Sequence, residues 1–305
     1  MKAARPHSPN AISKRANYLI SILFWLYTIA CVFPLALVIA VSFTDEMSIL
    51  KNGYQLFPKA YSTIAYQLLF EDSAQIVRSY GVSLFVTIVG TLLSLLLTAA
   101  FAYPISRKEL PLRNGFMFFI FFTMLFNGGL VPWYLVYTKY LHMSDSIWAL
   151  IVPMLVQPFN ILIMRTFFQT TIPGALIEAA TIDGAGELRI FYKIVLPLSL
   201  PVIATISLFN TLMYWNDWFL SLIFISDNET VSVQFLMYKT MLNIQYLTSN
   251  VQASEALTRG GGTLRLPSEA IRMAMAVIGI GPIILAYPFF QKYFVKGLTI
   301  GAVKG

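Results

Sequence analysis

Few residues in this chain could do chemistry, and they fall in three places. The first is the run Asn210, Tyr214, Trp215, Asn216, Asp217 and Trp218, set inside an otherwise apolar stretch. Aromatic rings beside amides suit a sugar, because a pyranose has an apolar face and hydroxyl edges. The competing reading is an interfacial aromatic belt. Asp217 lies eight residues from the outer end of the stretch, or ~12 Å at 1.5 Å per residue, which is deep for a belt and favours an interior position. The second place is Asn127-Gly128-Gly129 with Pro132. Such breakers survive in a membrane only where protein or a water-filled cavity satisfies the freed backbone, so a kinked structural helix and a broken helix lining a path both remain open. The third is the polar-studded segment 171–197, TIPGALIEAATIDGAGELRIFYKIVLP.

Several chemistries are excluded. Gly184-Ala185-Gly186 is a G-x-G fragment, but Arg189 stands where a dinucleotide fingerprint needs its third Gly, and no Walker-type phosphate loop occurs. His7 and His142 are far apart, and no His, Cys and carboxylate cluster has metal spacing. Cys31 is the single cysteine, so no intrachain disulfide can form. An intramembrane enzyme would need a carboxylate dyad or a His-rich motif inside a span, and neither is present.

The elements that position these residues are membrane spans. Of 305 residues, 57% are hydrophobic and only 11% charged, against roughly 25% charged in soluble domains. The mean hydropathy is +0.70. The chain reads as an all-α polytopic membrane protein with six spans, near 18–43, 81–105, 116–137, 147–168, 200–225 and 271–290. The first is too long for a signal peptide and lacks a cleavage site, so it reads as an uncleaved anchor. Residues 1–79 hold the basic tail, that anchor and an external loop; 80–305 form the core domain. Gly90, Ser94, Thr98 and Ala102 recur every fourth position in the second span, a stripe that permits close helix packing in lipid. Thirteen of the 21 Lys and Arg fall on one side and eight on the other, where the segments are longer. The positive-inside rule then puts both termini and segment 171–197 in the cytoplasm. The net charge of +7 marks those loops, since no aromatic-basic pattern of nucleic-acid recognition accompanies it.

Segment 171–197 reads as a helical hairpin. Thr170 or Thr171 would cap a short helix with Pro173 near its first turn, ending by Ile182. Gly184 and Gly186 would break it, because Gly tolerates the left-handed backbone that ends helices. Glu187 would sit at the positive end of a second helix. Ile190, Phe191, Ile194 and Val195 give that helix an apolar face, and Pro197 closes it.

Glu178-Ala179-Ala180, then Gly184, then Ile194-Val195-Leu196-Pro197 resembles the EAA loop of bacterial ABC-importer permeases, with every fixed position filled. Trp215 to Phe219 and the tail Lys296 to Gly305 resemble the maltose-type sugar permeases. Asn127 to Pro132 resembles the subgroup importing larger oligosaccharides, including uronate-containing ones. The resemblance implies a type I importer permease fold. It implies that Glu178, Ala179, Ala180, Asp183, Gly184, Ala185, Ile194, Leu196 and Pro197 couple to a separate ATPase. It further implies a second homologous permease, a dimeric ATPase that alone holds ATP and Mg, a solute-binding protein and an oligosaccharide substrate in the bacterial inner membrane. Asn127, Asn210, Tyr214, Trp215, Asn216, Asp217 and Trp218 are then candidates for the substrate path. The rival from another class is a secondary transporter driven by an ion gradient, for which Asp217 is the clear mid-span carboxylate.

Overall fold

The structure, a computed structural model, describes residues 13–71, 73–249, 268–281, 283–284, 288 and 291. The basic N-terminal tail with His7, the glycine loop 259–262, the tail 296–305 and much of the sixth expected span lie outside them.

The chain divides into two compact units, Met1–Glu71 with Ile244–Ile278, and Asp72–Asn243 with Gly279–Gly305. Helices α1 (Lys14–Ser42), α2 (Glu46–Asn52) and α3 (Ile64–Leu69) come first. The core spans follow as α4 (Ser73–Ser106), α5 (Arg113–Leu125), α6 (Leu130–Leu135) and α7 (Pro158–Thr171). The polar segment holds α8 (Gly174–Ile182), α9 (Glu187–Ile190) and α10 (Leu196–Leu198). After it come α11 (Leu200–Trp215), α12 (Phe219–Phe224), α13 (Val233–Ser249) and α14 (Ser268–Ile280). No strand occurs among the described residues; one isolated bridge joins Thr44 and Tyr61.

In the first unit, Ser13 caps α1 by accepting from Ala16 N at 3.2 Å. Most of the apolar side chains on α1 are exposed, Trp25 at 69% among them, as befits a helix whose solvent is lipid. Asp45 caps α2 through Met47 N and Ser48 N. Glu46 accepts from Glu269 N and Ala270 N, both at 3.2 Å, and so caps α14 across a long sequence separation. Tyr54 donates to Glu269 at 2.6 Å; that bond pushes its phenol above the usual range, with desolvation adding to it.

Two helices are long and apolar enough to cross a membrane, Arg15–Ser42 and Ser73–Ser106. Counting each of three bent helix pairs as one span gives up to five among the described residues. Arg113–Leu125 and Leu130–Tyr140 meet at 113°, so the Asn127-Gly128-Gly129 break is a sharp bend and not a mild kink. Ile147–Met154 and Pro158–Thr171 meet at 50°, because Pro158 starts a new helix at its first turn. Glu187–Leu198 and α11 meet at 80°. The fifth expected span does not run unbroken to residue 225. It stops at Trp215, where Asn216 Nδ2 donates back to Leu212 O. Asp217 Oδ2 then accepts from Leu220 N and starts α12.

The second unit is built around α4, which packs most extensively on α11 and α7. The small-residue stripe faces that contact: Ser94, Thr98 and Ala102 are at most 1% exposed. At Gly90 a methyl group would lie 2.6 Å from the Tyr214 ring. Only glycine lets α11 approach there.

Candidate functional site

Segment 171–197 folds as two arms around a tight turn. Thr170 and Thr171 do not cap α8; they finish α7, where Thr170 Oγ1 bonds Thr166 O. Pro173 occupies the cap position of α8 without a side-chain bond. At the other end Ala185 N donates to Ala180 O at 2.9 Å and Gly184 N to Thr181 O at 3.0 Å. This is the Schellman pattern, and Gly184 carries its left-handed residue at φ +77°. Gly186 precedes α9, and Glu187 sits in its first turn. The backbone continues as a π turn, Phe191–Val195, into α10 with Pro197 inside it, and turns at Ser199.

Burial sorts the coupling residues into two faces. Glu178, Ala179, Asp183, Gly184 and Pro197 are exposed. Ala180, Ala185, Ile194 and Leu196 pack against a buried cluster. That cluster joins Ile172, Ile177, Ile190, Phe191 and Val195 of the segment to Ala99, Ala102 and Tyr103 of α4, Met164 of α7 and Ile206 of α11. The hairpin is therefore continuous with the span core and not a loose connector. One polar link reinforces it, and another ties the neighbouring ends of α7 and α4. Tyr103 donates to Glu187 Oε2 at 2.5 Å while its ring lies 5.1 Å from that of Phe191. Gln169 Nε2 donates to Ser106 O at 3.0 Å.

Two features of the hairpin escaped the sequence reading. Leu176, Ile182, Leu188 and Tyr192 are exposed, Ile182 at 86%. The signal was available on the second arm, where Leu188 and Tyr192 each lie two residues from the anchor Ile190 and so on the opposite side. A cavity of about 940 Å³ also lies between the end of α4, the Arg107–Pro111 turn and the hairpin. Its lining carries Glu109, Glu178 and Glu187 against Arg107, and Arg107 is 3.5 Å from Glu109. The cavity is acidic.

The seven substrate-path candidates do not form one surface. Asn210 is fully buried, accepting from Asn160 Nδ2 at 2.9 Å and donating to Ser94 Oγ at 3.0 Å, so it ties α7, α11 and α4 together. Tyr214 is 2% exposed; its hydroxyl donates to Ile151 O at 2.9 Å. Trp215 is equally buried and donates to Gly279 O at 3.0 Å. Asp217 is half-buried and caps α12. Asn216 and Trp218 are exposed, the latter with its ring tilted 30° to that of Tyr238 at 4.3 Å. Asn127 is exposed at the 113° bend, where its Oδ1 accepts from Gly129 N. Asn160 was missed, although it carried the same signal as Asn210, an amide inside an apolar run. Among the cations between residues 226 and 272, Lys239 bonds Asn228 Oδ1 and Arg272 pairs with Glu269 at 3.0 Å. Arg259 and Arg265 lie outside the described residues.

The family described as binding-protein-dependent transport system inner membrane component matches residues 97–300, which include both arms of the hairpin, the end of α4 that meets them, and α7 and α11. The chain belongs to this family. The permease is similar to the polygalacturonan/rhamnogalacturonan transport system permease YtcP of Bacillus subtilis, 40% identical over 92% of this chain and 95% of that protein. It is 39% identical to protein LplC of the same organism, over 90% of each chain. A solved structure of a bacterial ABC transporter involved in the import of the acidic polysaccharide alginate matches with a TM-score of 0.76 at 28% identity. The match covers 93% of this permease and 99% of that chain. The fold is thus that of an ABC-importer permease.

Proposed function

We propose that this permease is one membrane half of an ATP-driven importer of oligosaccharides, with acidic, uronate-containing chains as the favoured cargo. The observation that carries the mechanism is the hairpin, fused to the span core on one face and bare on the other. The bare face presents Ile182 and Leu188 beside an acidic cavity, a surface suited to an ATPase groove with apolar and basic groups. ATP binding and hydrolysis belong to that separate subunit, and this chain binds neither ATP nor Mg. Closure of the ATPase dimer moves the hairpin, and the shared core carries the movement into α4, α7 and α11, rocking the bundle between inward-open and outward-open states.

A second, homologous permease completes the translocation path, and a solute-binding protein delivers the sugar from outside. The orientation has both termini and the hairpin in the cytoplasm, as the distribution of Lys and Arg favours. Acidic cargo is supported by the likeness to the polygalacturonan/rhamnogalacturonan permease and to the alginate importer. Asn127, Asn216 and Trp218 keep exposed polar or aromatic surface, and they remain as the residues of this chain that reach a sugar.

The test is uptake by the complete assembly in proteoliposomes. Oligogalacturonate should accumulate only with ATP and binding protein, faster than a neutral oligosaccharide of equal length. Uptake that continues without ATP and stops when an ion gradient is dissipated would replace this reading with the secondary-transporter one. ATP-dependent uptake of neutral sugars alone would leave the mechanism and remove the acidic cargo.

A further inference from the structure

We infer that the permease holds an anionic phospholipid between α4, α5 and α7, in the leaflet on the hairpin side. Arg113 opens α5, and Arg165 lies on α7 six residues before its end at Thr171. Both are half-buried, and the Nε of each is buried with no hydrogen-bond partner among the described residues. Neither forms an ion pair among the described residues. Arg165 lies near enough to feel the charge of Arg113. Two partly desolvated like charges without an acid repel each other and lack hydrogen bonds, an arrangement that an anion relieves. Guanidinium groups match phosphate by bidentate bonding.

An apolar groove of about 800 Å³ is lined by chain neighbours of both arginines. Leu112 and Gly115 border it beside Arg113, Ile161 borders it one turn from Arg165, and Phe101, Phe116 and Phe119 line its length. From Leu112 to Thr123 the groove follows 11 residues of helix, or ~16 Å at 1.5 Å per residue. That is about half of a ~30 Å hydrocarbon core, the reach of one acyl chain in one leaflet. A charged pair at the polar end of an apolar groove of that length fits a phospholipid better than free phosphate. Basic pockets between spans commonly hold anionic head groups.

The experiment is native mass spectrometry of the purified assembly after equilibration with phosphatidylglycerol or phosphatidylcholine. The wild type should retain one phosphatidylglycerol at this site and at least tenfold less phosphatidylcholine. R113Q/R165Q should lose that retention. Gly115→Phe should lose it too with both arginines in place, because a Cβ at Gly115 meets nothing within 4 Å and Gly115 borders the groove that the ring would occupy. Unchanged melting temperatures of both variants in zwitterionic detergent show that they are folded. Equal retention of the two lipids, or retention by R113Q/R165Q, overturns the assignment. So does a Gly115→Phe variant that keeps the lipid, or displacement of the lipid by millimolar inorganic phosphate. A cross-link from the groove to the partner permease that excludes lipid also overturns it. None of these readings depends on which sugar is carried.

Discussion

If the hairpin drives the spans, the Tyr103–Glu187 bond is where α9 is fastened to α4. Tyr103→Phe removes the bond and keeps the ring against Phe191. At 2.5 Å it is in the range of a hydrogen bond to a charged carboxylate, worth roughly 1.5–3 kcal/mol. Glu187 is exposed, so water replaces the phenol after the substitution and the loss falls at the low end. About 1.4 kcal/mol corresponds to roughly tenfold in the equilibrium between fastened and released arms. The assay is ATP hydrolysed per sugar imported by the reconstituted assembly. Tyr103→Phe should raise that ratio several-fold while hydrolysis continues. Glu187→Gln keeps an acceptor oxygen and should stay near wild type, whereas Glu187→Ala should match Tyr103→Phe. A wild-type ratio for Tyr103→Phe would refute the fastening argument. A Glu187→Ala variant far worse than Tyr103→Phe would show that the carboxylate acts on the ATPase directly.

Other outcomes follow from the same geometry. Gly184→Val should stay in the membrane but uncouple hydrolysis from uptake; its cost is conformational, ~1–2 kcal/mol for a side chain held left-handed, since nothing lies within 4 Å of the added Cβ. Gly184→Asn should be tolerated, and equal behaviour of the two variants would disprove the turn argument. Asn210→Ala breaks two interhelical bonds and should destabilise the permease by about 1–3 kcal/mol, read as a lower unfolding midpoint; unchanged stability with altered sugar preference would put Asn210 on the path. Gly90→Val should cost roughly 1–3 kcal/mol through overpacking against Tyr214, again seen in the unfolding midpoint. Asp183→Cys in a Cys31→Ser background should react with an impermeant maleimide only when the cytoplasmic face is opened, and labelling from outside would reverse the orientation.

The proposed acidic cargo meets a constraint in how the path residues divide. Tyr214, Trp215 and Asn210 are spent on packing and on hydrogen bonds to Ile151, Gly279, Asn160 and Ser94. What remains accessible, Asn127, Asn216 and Trp218, carries no positive charge. In this reading, recognition of an acidic sugar falls to the binding protein and the second permease.

The sequence alone determined the solvent of the chain and the form of its polar hairpin. Composition and long apolar runs pointed to helices in lipid, because a backbone there has few options besides helix, but not to the breaks at Gly128, Pro158 and Asn216. Gly184 announced a left-handed turn, and the Gly90 stripe announced the face of α4 that packs closely, since both depend only on what a missing side chain permits. Which polar residues face a neighbour and which face open space was decided by tertiary structure. Asn210 and Asn216 carry the same chemistry six residues apart, yet one is buried in a hydrogen-bonded knot and the other is exposed. Asn210 lies on the face of α11 that packs on α4 and α7, whereas Asn216 lies past the helix end, where its amide turns back to Leu212 O. The Tyr103–Glu187 bond and the Arg113–Arg165 pair join residues far apart in the chain, and only the packed bundle brings them together.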